Sequence, residues 1–226
     1  MPNQAALAMM RLLQIASPTL PVGAYSYSQG MERAVADGVI VDEPSASSWI
    51  SDTMHFVLAS FEVPCMLSML QAVRNEDGAA LHRFNAEFLA SRETLELRAE
   101  TLQMGRSLAR LLGDLLPNLS PSRMLRPITS PSYPCAFACA ASGFGLTSHE
   151  SGVAYLWSWL ENQTIAALKL VPLGQSAGQR ILFDLGEAAA KLAESPISAE
   201  HWTNLAPGLA LASTLHETQY SRLFRS

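Results

Sequence analysis

Lysine is almost missing from this chain: Lys169 and Lys191 are the only two among 226 residues. Fifteen basic residues in all stand against twenty acidic ones, a net charge of −5. There is no basic stripe, so nucleic acid is not an expected partner. Charge of either sign is also scarce, at 15% of residues against 49% hydrophobic, well below the usual quarter or so. Such a chain hides its surface in a core or against partner proteins. The plainer reading is one helical domain with a large core. Three cysteines, Cys65, Cys135 and Cys139, cannot all pair, and no disulfide framework is expected. The polar Asn3 and Gln4 give no signal-peptide pattern. No apolar run reaches the ~18 residues of a membrane span. The expected location is the cytoplasm, away from membranes.

Strand-like alternation is missing too, while three-and-four spacing runs almost throughout, which predicts an all-α, single-domain multi-helix bundle. A first helix is expected from Met1 to Ile15, stopped by Ser17-Pro18. Ser26 and Gln29 form an S-x-x-Q capping box for a short helix ending at Asp37-Gly38. Asp42-Glu43-Pro44 is a strong helix start. Pro64 should kink the helix that follows or begin a new one. A long helix from about Arg92 to Leu116 is expected to turn Leu95, Leu102, Ala109, Leu112 and Leu116 inward. Prolines at 117, 121, 127, 131 and 134 make a non-helical central loop. Beyond it lie helices over Cys135–Ser142, His149–Leu170 (stacking Val153, Trp157, Leu160, Thr164 and Leu168), Leu173–Ser195 and Pro207–Thr218.

Reaction chemistry leaves little trace. Gly174 and Gly178 lack the lysine and the preceding strand of a phosphate loop, so they read as a tight turn opening a helix. Cys135 and Cys139 would share a helix face, but two more ligands for a closed metal site are not at hand, and core packing is preferred. No metal ligand set, cofactor motif or nucleophile elbow is present. The alternative of a helical-bundle enzyme would need titratable residues converging on one pocket.

Two segments invite docking instead. Glu93, Glu96 and Glu100 make an acidic stripe, either a solvated face or a surface for a basic partner. The closing run His216–Ser226 carries Tyr220, Leu223 and Phe224 beside Arg222 and Arg225. It is composed like an interface anchor that orders on binding, or else it folds back on its own core.

Together, Leu12–Pro18, Leu20–Gly30, Glu100–Gly105, Pro172–Arg180 and Tyr220–Phe224 resemble the urease accessory protein UreF family over nearly the whole chain. The cysteine-bearing Pro134–Cys139 departs from the expected pattern. The resemblance implies an all-α, dimeric, non-enzymatic adaptor for nickel insertion, bridging UreD (also called UreH) to the GTPase UreG and presenting both to apo-urease. It places UreD contacts on Tyr220, Arg222 and Phe224, with segment 217–226 dependent on the partner for its order. Tyr25, Tyr27, Gln29 and Gly30 are candidates for UreG. Gln175, Gln179 and Arg180 are further partner-binding candidates, the two glutamines also for a polar nickel passage. Arg33 or Arg180 could reach the GTPase site as an arginine finger, although ordering of its switch loops is preferred.

Overall fold

The computed structural model describes residues 4–194 and 198–226. The expected ends at Met1 and Ser195 lie outside the described residues. Among those described, every regular element is helical: α1 (Gln4–Ala16), α2 (Met31–Ala36), α3 (Glu43–Thr53), α4 (Val63–Arg74), α5 (Gly78–Ala90), α6 (Leu95–Leu115), α7 (Ser120–Leu125), α8 (Tyr133–Gly143), α9 (Ser148–Leu170), α10 (Gln175–Glu194) and α11 (Pro207–His216). Short 3₁₀ turns cover Ala24–Ser26 and Ala199–His201, and a π-helical stretch, Met54–Glu62, joins α3 to α4. The fold is all-α, built round one core.

Small side chains set its centre. In α8, Pro134 to Ala141 are all buried, so α4, α6 and α7 close around it. The spacing between packed helices depends on side-chain size at the contact. Where α6 crosses, Gly105 is in place because a Cβ there would fall on the Pro131 main-chain oxygen and within 2.6 Å of the Ser132 carbonyl carbon. On the other side α9 packs against α1, α4 and α10.

Asp42 caps α3 as its sequence indicates, accepting the Ser45 amide at 3.0 Å. The run Glu43–Arg74 is 32 residues long and apolar enough in part to cross a membrane by length and composition, but 78% of its apolar window is buried inside the molecule. Pro64 falls in the first turn of α4. Lacking an N–H, it frees the carbonyl one helical turn back, and Thr203 donates its amide to that Ser60 oxygen at 3.2 Å. Trp202 reinforces the join by standing edge-on to Phe61, their centroids 5.9 Å apart.

Four sequence expectations need correction. The proline-rich stretch is not wholly loop: Pro121 and Pro134 sit in the first turns of α7 and α8, where a missing N–H costs nothing. Leu95 is exposed, because Thr94 caps α6 and the inward row becomes Leu97, Thr101, Met104, Leu108 and Leu112. Trp157 is likewise partly out in solvent. The Ser26–Gln29 capping box does not form. Gln29 has φ +52° and Gly30 φ +78°, so neither belongs to the helix, and the Glu32 amide donates to Ser28 Oγ at 3.3 Å instead.

Candidate docking surface

The loop after α1 turns twice through left-handed backbone, at Gly23 and at Gln29-Gly30. Glycine is required at position 30 on two counts. Its φ is positive, and a Cβ would come within 3.0 Å of the Ser213 amide nitrogen on α11. The turn drives Gln29 inward, where its Nε2 donates to Glu100 at 2.7 Å and its Oε1 accepts from Trp159 Nε1 at 2.8 Å. Tyr27 is buried, and its carbonyl accepts from Asn162. Tyr25 stays exposed.

The closing segment docks on that loop. Ser28 and Gln29 donate their amides to the Ser226 main-chain oxygen at 2.6 and 3.1 Å, and Arg225 donates its own to Ser26 at 2.8 Å. Glu32 accepts the amides of Leu223 at 2.7 Å and Phe224 at 2.9 Å. Phe224 is buried, with Lys169 Nζ 5.4 Å from its ring centroid. Tyr220 is fully exposed and Leu223 largely so. In the structure the segment lies folded back on its own core.

Of the acidic stripe, Glu93 is exposed while Glu96 and Glu100 are covered. Glu93 precedes the helix, while Glu96 accepts from Arg222 at 2.6 Å and faces His216 Nδ1 at 2.6 Å. Glu32 faces the other ring nitrogen of that fully buried histidine at 3.3 Å. Glu100 accepts from Ser226 Oγ at 2.9 Å. Glu32, Glu96 and Glu100 each have a donor from the closing segment or α11, which relieves the repulsion between Glu96 and Glu100 that a bare stripe would carry.

Behind Gln29 lies a cavity of about 80 Å³ between the loop, α6 and α9, room for a few waters and too small for a metabolite. Glu62, Arg92, Glu100 and Tyr155 supply its polar wall. Arg92 pairs with Glu62, both buried, and Tyr155 donates its hydroxyl to the same carboxylate at 3.0 Å. Burial pushes Glu100 up to about 7, and the hydrogen bonds from Gln29 and Ser226 only partly offset it.

The remaining predicted residues lie elsewhere. Gln175 and Gln179 are exposed at the start of α10 and do not line the cavity. Arg180 reaches Glu43 with two hydrogen bonds, at 2.8 and 2.6 Å, and Arg33 pairs with Asp37. The three cysteines are buried in the core. Burial raises Cys65 to about 12, and the hydrogen bond with Cys139 leads in holding Cys135 well above its ordinary value. Among the described residues no group of three or more His, Cys, Asp or Glu is placed to hold a metal ion.

The structure thus joins the Tyr25–Gly30 loop to the closing segment through Ser26, Ser28 and Gln29, leaving Tyr25 and Tyr220 exposed and Tyr27, Gly30 and Phe224 buried, although the sequence divided the two segments between two partners. Sequence reasoning missed Glu32, Glu62, Arg92 and His216, charged or polar residues that hydropathy sends to solvent. No pattern marked Glu62 or Arg92; a charge flanked by core positions was the one faint sign of Glu32.

The fold is helical, with Tyr25 and Tyr220 exposed and the buried carboxylates Glu32, Glu62 and Glu100 hydrogen-bonded within the molecule. Comparison with known sequences gives its family. The UreF family model matches residues 40–186. A urease accessory protein UreF from Azoarcus sp. (strain BH72) is 50% identical over 232 residues, covering 100% of this chain and 98% of its own. Those from Dechloromonas aromatica (strain RCB) and Janthinobacterium sp. (strain Marseille) are 49% and 45% identical, covering 97% and 98% of this chain and 98% and 99% of theirs. The chain belongs to the UreF family of urease accessory proteins, which are named for assisting urease and not for a catalytic activity.

Proposed function

We propose that the chain is a cytoplasmic, homodimeric adaptor of urease maturation, bridging UreD/UreH to the GTPase UreG and presenting both to apo-urease for nickel insertion. The observation that carries this reading is the pairing of Ser26–Gln29 with Arg225–Ser226. It holds the backbone of the closing segment in place while Tyr25, Tyr220 and Leu223 project outward. Anchors braced before encounter lose less conformational entropy on binding, and exposed aromatics are common interface hot spots. Tyr220, Arg222 and Phe224 serve UreD, with Phe224 as the internal pin, and the Tyr25–Gly30 loop supports contact with UreG. Gln175, Gln179 and Arg180 extend the contact along α10. The test is capture of purified UreD and UreG with and without residues 217–226. Loss of UreD capture on truncation is expected, and unimpaired capture removes the proposal.

In the complex this chain orders the switch loops of UreG and does not supply an arginine. The ion pairs of Arg33 and Arg180 support that choice, since a finger would first have to break them. Arg33→Ala and Arg180→Ala should each leave UreG turnover per assembled complex unchanged, Arg180→Ala weakening assembly alone; a fall in turnover of the fully assembled complex with either would reinstate the finger.

A second reading, passive passage of nickel, is favoured by the oxygen atoms of Glu62, Glu100 and Asn162 around the cavity, because weak oxygen donors suit transit better than storage. Tight one-to-one nickel binding by the isolated chain in equilibrium dialysis would contradict it.

A further inference from the structure

A groove of about 240 Å³ opens between α6, α7 and the Arg126–Pro131 connection, sharing no lining residue with the cavity behind Gln29. Arg106 lies ten residues along α6 from Glu96, about 15 Å at the rise of a helix. Arg106 and Arg126 line the groove, over a floor that includes Ala109, Gly113, Leu125 and Ile128. Arg110 and Arg123, adjacent in sequence to the lining residues Ala109 and Ser122, are exposed.

What sets these arginines apart is how they are used. Across the rest of the chain each arginine has a fixed partner: Arg92 has Glu62, Arg180 has Glu43, Arg74 has Ser148 and the Leu146 carbonyl, Arg225 has Gln103. Among the described residues, Arg106, Arg110 and Arg123 alone of the arginines make no side-chain hydrogen bond or ion pair. Arg106 lines this groove, and Arg110 and Arg123 directly follow its lining residues Ala109 and Ser122 in the chain. Arg106 and Arg110 are also like charges one turn apart, mildly costly while nothing lies between them. Nearby acids are few: Asp114 is exposed next to Gly113, and Glu76 accepts from Ser120.

We propose that this groove binds an acidic segment of a partner protein, aspartate and glutamate side chains taking the three unpaired guanidinium groups. A guanidinium meets a carboxylate through two parallel hydrogen bonds. The uncharged floor suits the short apolar stems of those side chains. The volume falls below the ~300 Å³ at which pockets for whole small molecules begin, and a net charge of −5 disfavours long polyanions.

Fluorescein-labelled hexaglutamate, titrated into the full chain at low salt and followed by anisotropy, tests the proposal. Binding is expected, with about tenfold or greater loss in an Arg106→Gln/Arg123→Gln variant. An Arg83→Gln/Lys191→Gln variant, matched in charge but away from the groove, should bind as the parent does. Circular dichroism of each variant checks that the fold is kept. Absent binding, equal binding by both variants, or full displacement of the peptide by inorganic phosphate at matched ionic strength would overturn the proposal, the last result giving the groove to phosphate. Capture of UreD through the closing segment is read separately, so failure of one proposal leaves the other standing.

Discussion

Glu32 receives the main-chain amide of Phe224 at 2.9 Å, and that bond fixes the closing segment from a helix nearly two hundred residues earlier in the chain. The same carboxylate takes the Leu223 amide, so replacing it affects two charge-assisted hydrogen bonds, each contributing about 1.5–3 kcal/mol. Glu32→Gln keeps the shape but turns an amide NH₂ toward one donor. A loss of about 2–4 kcal/mol is expected, with hydrogen exchange at Leu223 and Phe224 accelerated more than about tenfold. Unchanged protection at those two amides would show that the segment is held by Phe224 packing alone.

Arg92 and Glu62 form a buried ion pair, and Arg92 also lies over the Phe88 ring, 4.5 Å from its centroid. Removing one partner leaves the other charge buried without compensation. Arg92→Met should therefore destabilise by about 3–5 kcal/mol. The double change Glu62→Gln/Arg92→Met removes both charges and should recover part of that loss. Urea denaturation of the parent, both single variants and the double variant yields the coupling. Strict additivity would argue against the pair as a unit.

The helices were readable where a local signal existed. Asp42 with Pro44 announced α3, and the long apolar rows announced α6 and α9. Thr147 and Glu150 also form a capping box, with the Thr147 amide donating to Glu150 at 2.7 Å; its T-x-x-E signature was there to be found. Other features had no local trace. Leu95 fits the apolar period of α6, but the cap at Thr94 sets the helix phase and turns it outward. Buried Glu100 was read as surface because hydropathy cannot foresee a donor supplied by Ser226. The candidate residues themselves were found through family resemblance. The joining of their two segments depends on a pairing across the length of the chain that no spacing encodes.

Gly105 offers a sharper test of packing than any core leucine. A methyl group there meets main chain, at Pro131 and Ser132, which cannot rotate aside as a side chain would. Helix propensity alone would favour Gly105→Ala by nearly 1 kcal/mol. The clash should win, giving net destabilisation of about 1–3 kcal/mol through separation of α6 from α8. A lowered thermal midpoint checks this, and a raised one would show that the two helices are less closely packed than described.

Glu100 should leave its mark on the pH dependence of stability. Its ordinary value is 4.5 and burial raises it to about 7 in the folded chain. Below the lower value both states hold the proton and the group contributes nothing. Between the two the folded chain keeps a proton that the unfolded chain has released, so stability falls as pH rises. Above about 7 both are ionised and the penalty is complete, roughly 3 kcal/mol from this group. Glu100→Gln cannot ionise, yet its amide can still bond Gln29 and Ser226. Its stability relative to the parent should therefore rise between about pH 4.5 and pH 7, then level off. Urea midpoints for both chains across that interval decide the matter: parallel curves would mean that Glu100 is solvated and ionised throughout.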